Sequence, residues 1–215
     1  ERGGDPCTGG RGKLATCISP VPWQTDDSID PYEWGWSQHA VLKNSTEIIH
    51  ELVDIVSKNG NLLLNVPPRA DGSFDPRVIE ILHEVGDWLV LNGQAIYASR
   101  PFLVCCEGGV AVVEDDDEEE EYHDDNDVVL ASARGSGRSP IYTSTDEYRF
   151  TQAKAQAGTN CSAIFIVAFG WTQDERLVRS LNTSVALPGA ITNVSIIGAD
   201  EVKVTWSRGP TGLAL

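Results

Sequence analysis

Three of the six tryptophans, Trp23, Trp34 and Trp36, fall in one stretch rich in Gly, Pro, Asp and Ser, residues 1–43. An indole face stacks on the C–H face of a pyranose, so tryptophans gathered in loops are the material of a sugar site. The alternative is that they cap a hydrophobic core beneath the loops. Among them stand Asp26 and Asp27, which could move protons or could simply cap a turn, as Asp before Ser commonly does. His39 is the histidine nearest these tryptophans, whereas His50 and His83 lie in helix-like segments and read as structural. Cys7 and Cys17 sit in a Gly-rich loop and could bridge or stay free; Cys105 and Cys106 are adjacent, and Cys161 opens an apolar run. No CxxC pair or His spacing suggests zinc, and no metal site is expected.

Charge narrows the function classes. The 215-residue chain has 16 Lys+Arg against 32 Asp+Glu, yet 11 of those acids lie in the 14 residues Glu114–Asp127, EDDDEEEEYHDDND. Without that run the balance is −5, so the acidity belongs to one loop. Such a run is usually a solvated excursion. A weak calcium site is the functional alternative, and the run lacks the spaced ligand pattern for it. No basic patch exists to neutralise phosphates, which argues against nucleic acid as a partner. The longest strongly apolar run, Ala163–Trp171, is far short of the ~20 residues that span a bilayer, so no membrane span is expected. Methionine is absent, residue 1 is Glu and no signal peptide opens the chain; we read it as an internal piece of a longer protein. Four N-x-S/T sequons, at Asn44, Asn160, Asn182 and Asn193, favour a secreted or lysosomal glycoprotein.

The elements that must position these residues read as follows. A helix starts at Asn44-Ser45-Thr46-Glu47, with Ile48, Leu52, Ile55 and Val56 as its stripe, and Asn59-Gly60 ends it. Asn61–Val66, NLLLNV, reads as a strand buried on both faces, the habit of parallel sheets. Asp75-Pro76 caps a second helix carrying Val78, Leu82, Val85 and Leu89, closed by Asn92-Gly93. Residues 44–93 are thus one slice of an α/β layered fold or (β/α) barrel. Beyond Arg100-Pro101 come β-rich runs at Ile141–Ser144, Asp146–Thr151, Ala163–Phe169, Thr183–Leu187, Asn193–Ile197 and Val202–Trp206, the spacing of an antiparallel sandwich. The chain closes on TGLAL, which reads as a strand just begun.

Leu52–Arg69, LVDIVSKNGNLLLNVPPR, runs through ADGSFDP into EVGDWLVLNGQAIYASRP, and upstream lie PWQTDDSI at Pro22–Ile29, a loop, and Trp34-Gly35-Trp36. This combined pattern resembles the end of the catalytic domain of α-L-fucosidases of glycoside hydrolase family 29. The resemblance covers residues 22–101 and fits the later strands loosely. It implies the C-terminal part of a (β/α) barrel over residues 1–100 joined to an antiparallel β-sandwich over 101–215. It also implies hydrolysis of terminal α-L-fucosyl linkages with retention, by an Asp nucleophile and a second carboxyl group about 5–5.5 Å apart, without cofactor. The partner would be a fucosylated oligosaccharide or glycoconjugate; the oligomeric state is left open.

Two departures matter. The family's nucleophile lies before the matched residues, and no segment here corresponds to it. Many relatives place a Glu acid/base where this chain has Gln24, which cannot exchange a proton at neutral pH but could hydrogen-bond a sugar hydroxyl. Glu1, on the loop delivering Gln24, is then the first acid/base candidate, with Asp26 and Asp27 behind it. Trp23, Gln24, Trp34 and Asn65 are the candidate substrate contacts. Trp34 would offer an apolar wall to a 6-deoxy sugar, and Asn65 ends a barrel-like strand or else holds the loop around Pro67. Pro67-Pro68 stands where many relatives have Gly-Pro, and with PWQTD it is similar to the branch associated with α-1,3/1,4-linked fucose. Competing readings are a non-catalytic carbohydrate-binding protein on the same scaffold, and an acidic interaction protein acting through Glu114–Asp127.

Overall fold

The computed structural model describes residues 18–108, 147–153, 163–170, 175–187, 189–199 and 201–215. Glu1, Cys7, Cys17, Cys161, Asn160, the acidic run 114–127 and the expected strand Ile141–Ser144 lie outside the described residues.

The first half is α/β. Strand β1 (Trp23–Ser28), helix α1 (Ser45–Ser57), strand β2 (Gly60–Asn65) and helix α2 (Pro76–Asn92) follow in order. β1 and β2 pair in parallel, from Trp23↔Gly60 to Ser28↔Asn65, and α1 is the crossover between them. The stretch expected to be a loop at Pro22–Ile29 is therefore mostly strand. The helices begin where the caps placed them. Asn44 Oδ1 accepts from the Glu47 amide at 2.9 Å while the Glu47 carboxylate accepts from the Asn44 amide at 2.7 Å, a reciprocal capping box. Asn59, just past α1, takes the left-handed conformation (φ 72°) that Asn tolerates. Asp75 caps α2 by accepting from the Arg77 amide, with Pro76 in the first turn. Ile29, Ile48, Val78 and Val85 form the core between the strands and both helices.

β2 departs from the expectation of burial on both faces. Leu62 packs against Trp23 and Ile55, and Leu64 joins the helical core, but Leu63 on the opposite face is 55% exposed.

Among the described residues of the second half the regular elements are β-strands and one short 3-10 turn, Arg179–Leu181. Strands β3 (Ser99–Glu107), β4 (Glu147–Ala153) and β5 (Ile164–Phe169) form one antiparallel sheet in that order. Strands β6 (Leu177–Val178), β7 (Ser207–Gly209) and β8 (Gly212–Ala214) form another, with β8 in the middle. Phe102, Tyr148 and Phe150 of the first sheet share a core with Val178 and Leu213 of the second and with Leu181. Three expected strands are corrected. Thr183–Leu187, Asn193–Ile197 and Val202–Trp206 are turns and irregular backbone, and pairing falls instead on the short segments β6, β7 and β8. Alternation disposes side chains to two faces but supplies no partner for the backbone. The closing TGLAL does contain a strand, β8, joined to β7 by the Gly209–Gly212 hairpin.

The compositional boundary at 100/101 falls inside β3, and the two halves are fastened across it. Arg149 of β4 forms an ion pair with Asp54 of α1, Thr151 donates to the Ala95 carbonyl at 2.7 Å, and His50 of α1 stacks on Phe169 of β5 at 4.0 Å.

Candidate active-site face

Successive side chains of a strand point to opposite faces, and partners in a parallel pair share a face. The register thus sorts β1 and β2 into two sets. Trp23, Thr25 and Asp27, with Gly60, Leu62 and Leu64, turn toward the helices; Gln24, Asp26 and Ser28, with Asn61, Leu63 and Asn65, make the other face. This second face is polar but for Leu63. Both strands run the same way, so Ser28 and Asn65 mark a common carboxyl end, the edge from which parallel α/β folds build their sites.

That edge is organised by one amide. Asn65 Nδ2 donates to Ser28 Oγ at 3.0 Å and to the Trp34 carbonyl at 2.9 Å. Ser28 Oγ in turn donates to the Glu33 carbonyl at 3.1 Å, and Asp30 Oδ1 accepts from the Tyr32 amide at 3.0 Å. The loop after β1 is thereby folded over the strand ends, and it presents Trp34 and Trp36 at 44% and 41% exposure. Asn65 does hold a loop, but the one bearing Trp34 rather than the one around Pro67. From the other side Arg69 sets its guanidinium 5.9 Å from the centre of the Trp36 ring, within cation–π range, and lies 3.5 Å from Asp75. Exposed indoles beside a cation and amides form a surface able to stack on and hydrogen-bond a sugar.

The two aspartates separate, and neither caps a turn as the Asp-Ser reading had it: both lie in β1. Asp27 points back under the helices, where the Lys43 ammonium forms ion pairs with it and with Glu51, 3.1 Å away. Burial, reinforced by a hydrogen bond with Asp27, pushes the Glu51 carboxyl up to about 8. Burial would raise Asp27 as well, but its bonds with Glu51 and the Lys43 charge bring it below the usual carboxylate range. Two carboxyl groups driven apart in this way resemble an acid/base pair. Their near-complete enclosure makes them instead a clamp between β1, the middle of α1 and the segment before it. Asp26 is on the opposite, partly exposed face with Gln24 and Asn65.

Trp23 is a correction. It is 9% exposed, packs on Ile55 and donates its indole N–H to the Lys58 carbonyl at 2.9 Å. It sits at the amino end of β1 on the helix-facing side, so it is a core residue and meets neither Trp34 nor Asn65. Gln24 shares the polar face with Asn65 but stands four residues before Ser28, roughly 13 Å along the strand at ~3.3 Å per residue. Sequence reasoning passed over Ser28, Lys43, Glu51 and Arg69. The alternation of Gln24, Asp26 and Ser28 was the signal for the first. Among the described residues no group of three or more His, Cys, Asp or Glu could hold a metal ion, and no helix is long and apolar enough to cross a membrane.

Residues 7–94 match the family model described as Alpha-L-fucosidase. Over 85 residues the chain is 47% identical to the tissue alpha-L-fucosidase of Homo sapiens, covering 38% of this chain and 18% of that one. Over these residues the chain is similar to the alpha-L-fucosidase family. The alpha-L-fucosidase of Branchiostoma floridae is 37% identical over 83 residues, 37% of this chain and 18% of its own length. The fold likeness extends further than the sequence match. The Thermotoga maritima alpha-fucosidase in complex with fucose superposes with a TM-score of 0.58 over 93% of this chain and 36% of its own, at 22% identity. The same organism's enzyme in complex with a mechanism-based inhibitor gives 0.60 over 91% and 35%, at 25% identity. The chain therefore spans about a fifth of the length of the curated relatives it matches, and the matched fifth contains the whole of the face described above.

Proposed function

We propose that this chain supplies part of the active site of a retaining α-L-fucosidase, a glycoside hydrolase acting on terminal α-L-fucosyl groups of fucosylated oligosaccharides or glycoconjugates. The observation that carries the reading is the polar face of β1 and β2, with Gln24, Asp26 and Asn65 on it and Trp34 at its rim, lying within the residues matched to the family. In this reading residues 1–100, with β1, β2, α1 and α2, are the C-terminal part of a (β/α) barrel. The β3–β8 sheets belong to a β-sandwich over 101–215. Trp34 walls the methyl side of the sugar, Gln24 offers its amide to a hydroxyl, and Asn65 positions Trp34. The acid/base is Glu1, or Asp26 if Glu1 fails, and the nucleophile comes from a part of the relatives outside the matched segment. Relatives named tissue and plasma alpha-L-fucosidase support a lysosomal or secreted setting.

The test compares hydrolysis of an aryl α-L-fucoside by this chain and by a protein extended upstream to the length of the relatives. Turnover is expected only from the extended protein, and Glu1→Gln in it is expected to lower kcat by at least about 100-fold, the usual worth of a general acid. A matching loss in Asp26→Asn instead would move the role there. If the extended protein binds L-fucose but hydrolyses nothing, the non-catalytic carbohydrate-binding reading, which Gln24 favours, takes its place. Preference for a branched α-1,3/1,4-fucosylated oligosaccharide over the aryl fucoside would fix the linkage; the reverse would remove that assignment.

A further inference from the structure

Strand β3 does not pair regularly with β4. Its register passes from Pro101↔Thr151 to Cys106↔Arg149, five steps along β3 against two along β4. The extra residues form a bulge, and Cys105 and Cys106 stand at its end. In a regular strand two neighbouring side chains would point to opposite faces. Here the irregular backbone brings the two sulfur atoms to 2.8 Å from each other. Both are free thiols; Cys105 is buried and Cys106 half-buried, so one is shielded and the other can be reached.

We propose that Cys105 and Cys106 form a thiol–disulfide exchange site that takes a small-molecule disulfide and closes to a vicinal disulfide within the bulge. The Cys106 thiolate attacks one sulfur of the incoming disulfide, the S–S bond breaks, and one small thiolate leaves. That thiolate takes the proton of Cys105, whose sulfur then attacks Cys106 and expels the second small thiolate, which takes from solvent the proton that Cys106 released on ionising. Two protein thiols are oxidised and one small disulfide is reduced to two thiols, so electrons and atoms balance. The order follows from exposure, since only Cys106 is open to the reagent. The surroundings support it: the neighbouring Cys105 thiol, and then the Arg149 guanidinium, bring the Cys106 thiol down to about 6 despite its burial, while the Cys105 thiol is pushed up. The reaction uses neither Asn65 nor the tryptophan rim and is independent of sugar hydrolysis.

The sequence makes the test direct. Between Arg77 and Arg134 the only Lys or Arg is Arg100, which precedes Pro101 and resists trypsin, so the tryptic peptide Val78–Arg134 carries these two cysteines and none of the other three. The folded full chain is treated with oxidised glutathione, alkylated and mapped. The expected result is a peptide lacking two hydrogens, with no adduct and no alkylation. Cys105→Ser is expected to trap a glutathione adduct on Cys106, whereas Cys106→Ser reacts at Cys105 at least about tenfold more slowly. The wild-type map stands without either variant, should one fail to fold. Alkylation of both thiols after treatment, separate adducts on each, or a link to Cys7, Cys17 or Cys161 would overturn the proposal.

Discussion

Replacing Asp54 by Asn takes away the carboxylate shared by two buried cations. Asp54 lies on α1, fully enclosed, with Lys58 Nζ at 2.6 Å and the Arg149 guanidinium of β4 paired to its other oxygen. Removing one member of a buried pair leaves charge in a poorly polarisable setting and typically costs about 3–5 kcal/mol. Glu147 remains 3.8 Å from Arg149, so the lower end of that range is expected. At ~2–4 °C per kcal/mol for a chain of this size, a loss near 3 kcal/mol lowers Tm by roughly 6–12 °C. Urea unfolding followed by circular dichroism would measure the change, with the slope of the transition checked for constancy. The quadruple variant Asp54→Leu, Lys58→Met, Glu147→Leu, Arg149→Met separates two explanations. Desolvation of charge is the dominant cost in this argument, so exchanging the whole cluster for apolar side chains should restore stability to within about 1–2 kcal/mol of the parent. A loss below ~1 kcal/mol in the single variant, or a quadruple variant no better than the single one, would refute the reasoning.

Other changes test the remaining elements. Glu51 holds its proton more tightly folded, at about 8, than unfolded, so its contribution is complete below the ordinary carboxylate range and fades as pH rises toward 8. The parent Tm should fall across that window while Glu51→Gln, which mimics the protonated form, stays flatter; parallel curves would remove the assignment. Asp27 contributes in the opposite sense, losing its share only as pH falls through its lowered value. At Gly60 an added Cβ would lie 2.6 Å from the Trp23 ring and 2.7 Å from Ile55, so Gly60→Ala should cost about 1–3 kcal/mol by overpacking, read as a lower urea midpoint. Asn65→Ala breaks the bonds to Ser28 and to the Trp34 carbonyl, and about 1 kcal/mol per bond is expected from denaturation. In the extended protein the same change should raise KM for a fucoside more than it lowers kcat, because it loosens the loop that carries Trp34.

The helices of this protein are legible in its sequence because their determinants are local. Asn44, Glu47, Asp75 and Pro76 act within one turn, and the apolar stripes repeat at helical spacing. The loop tryptophans and Asn65 could be picked out by type. Their division into a core residue, Trp23, and a rim residue, Trp34, could not, since it depends on which face of β1 meets α1. The strand β1 itself is hidden because Asp26 and Asp27 disfavour strand locally. Asp27 is tolerated there only through Lys43 and Glu51, brought from 16 and 24 positions away in the chain. The short strands β6, β7 and β8 likewise exist through their partners, whereas the alternating run Val202–Trp206 pairs with no strand among the described residues. The sequence alone determined the helical caps, the α/β-then-β order and the resemblance to alpha-L-fucosidases. Tertiary structure decided which polar groups share a face, which charges are buried together and how near two adjacent thiols come. Those relations join distant segments, and only the packed chain brings them into contact.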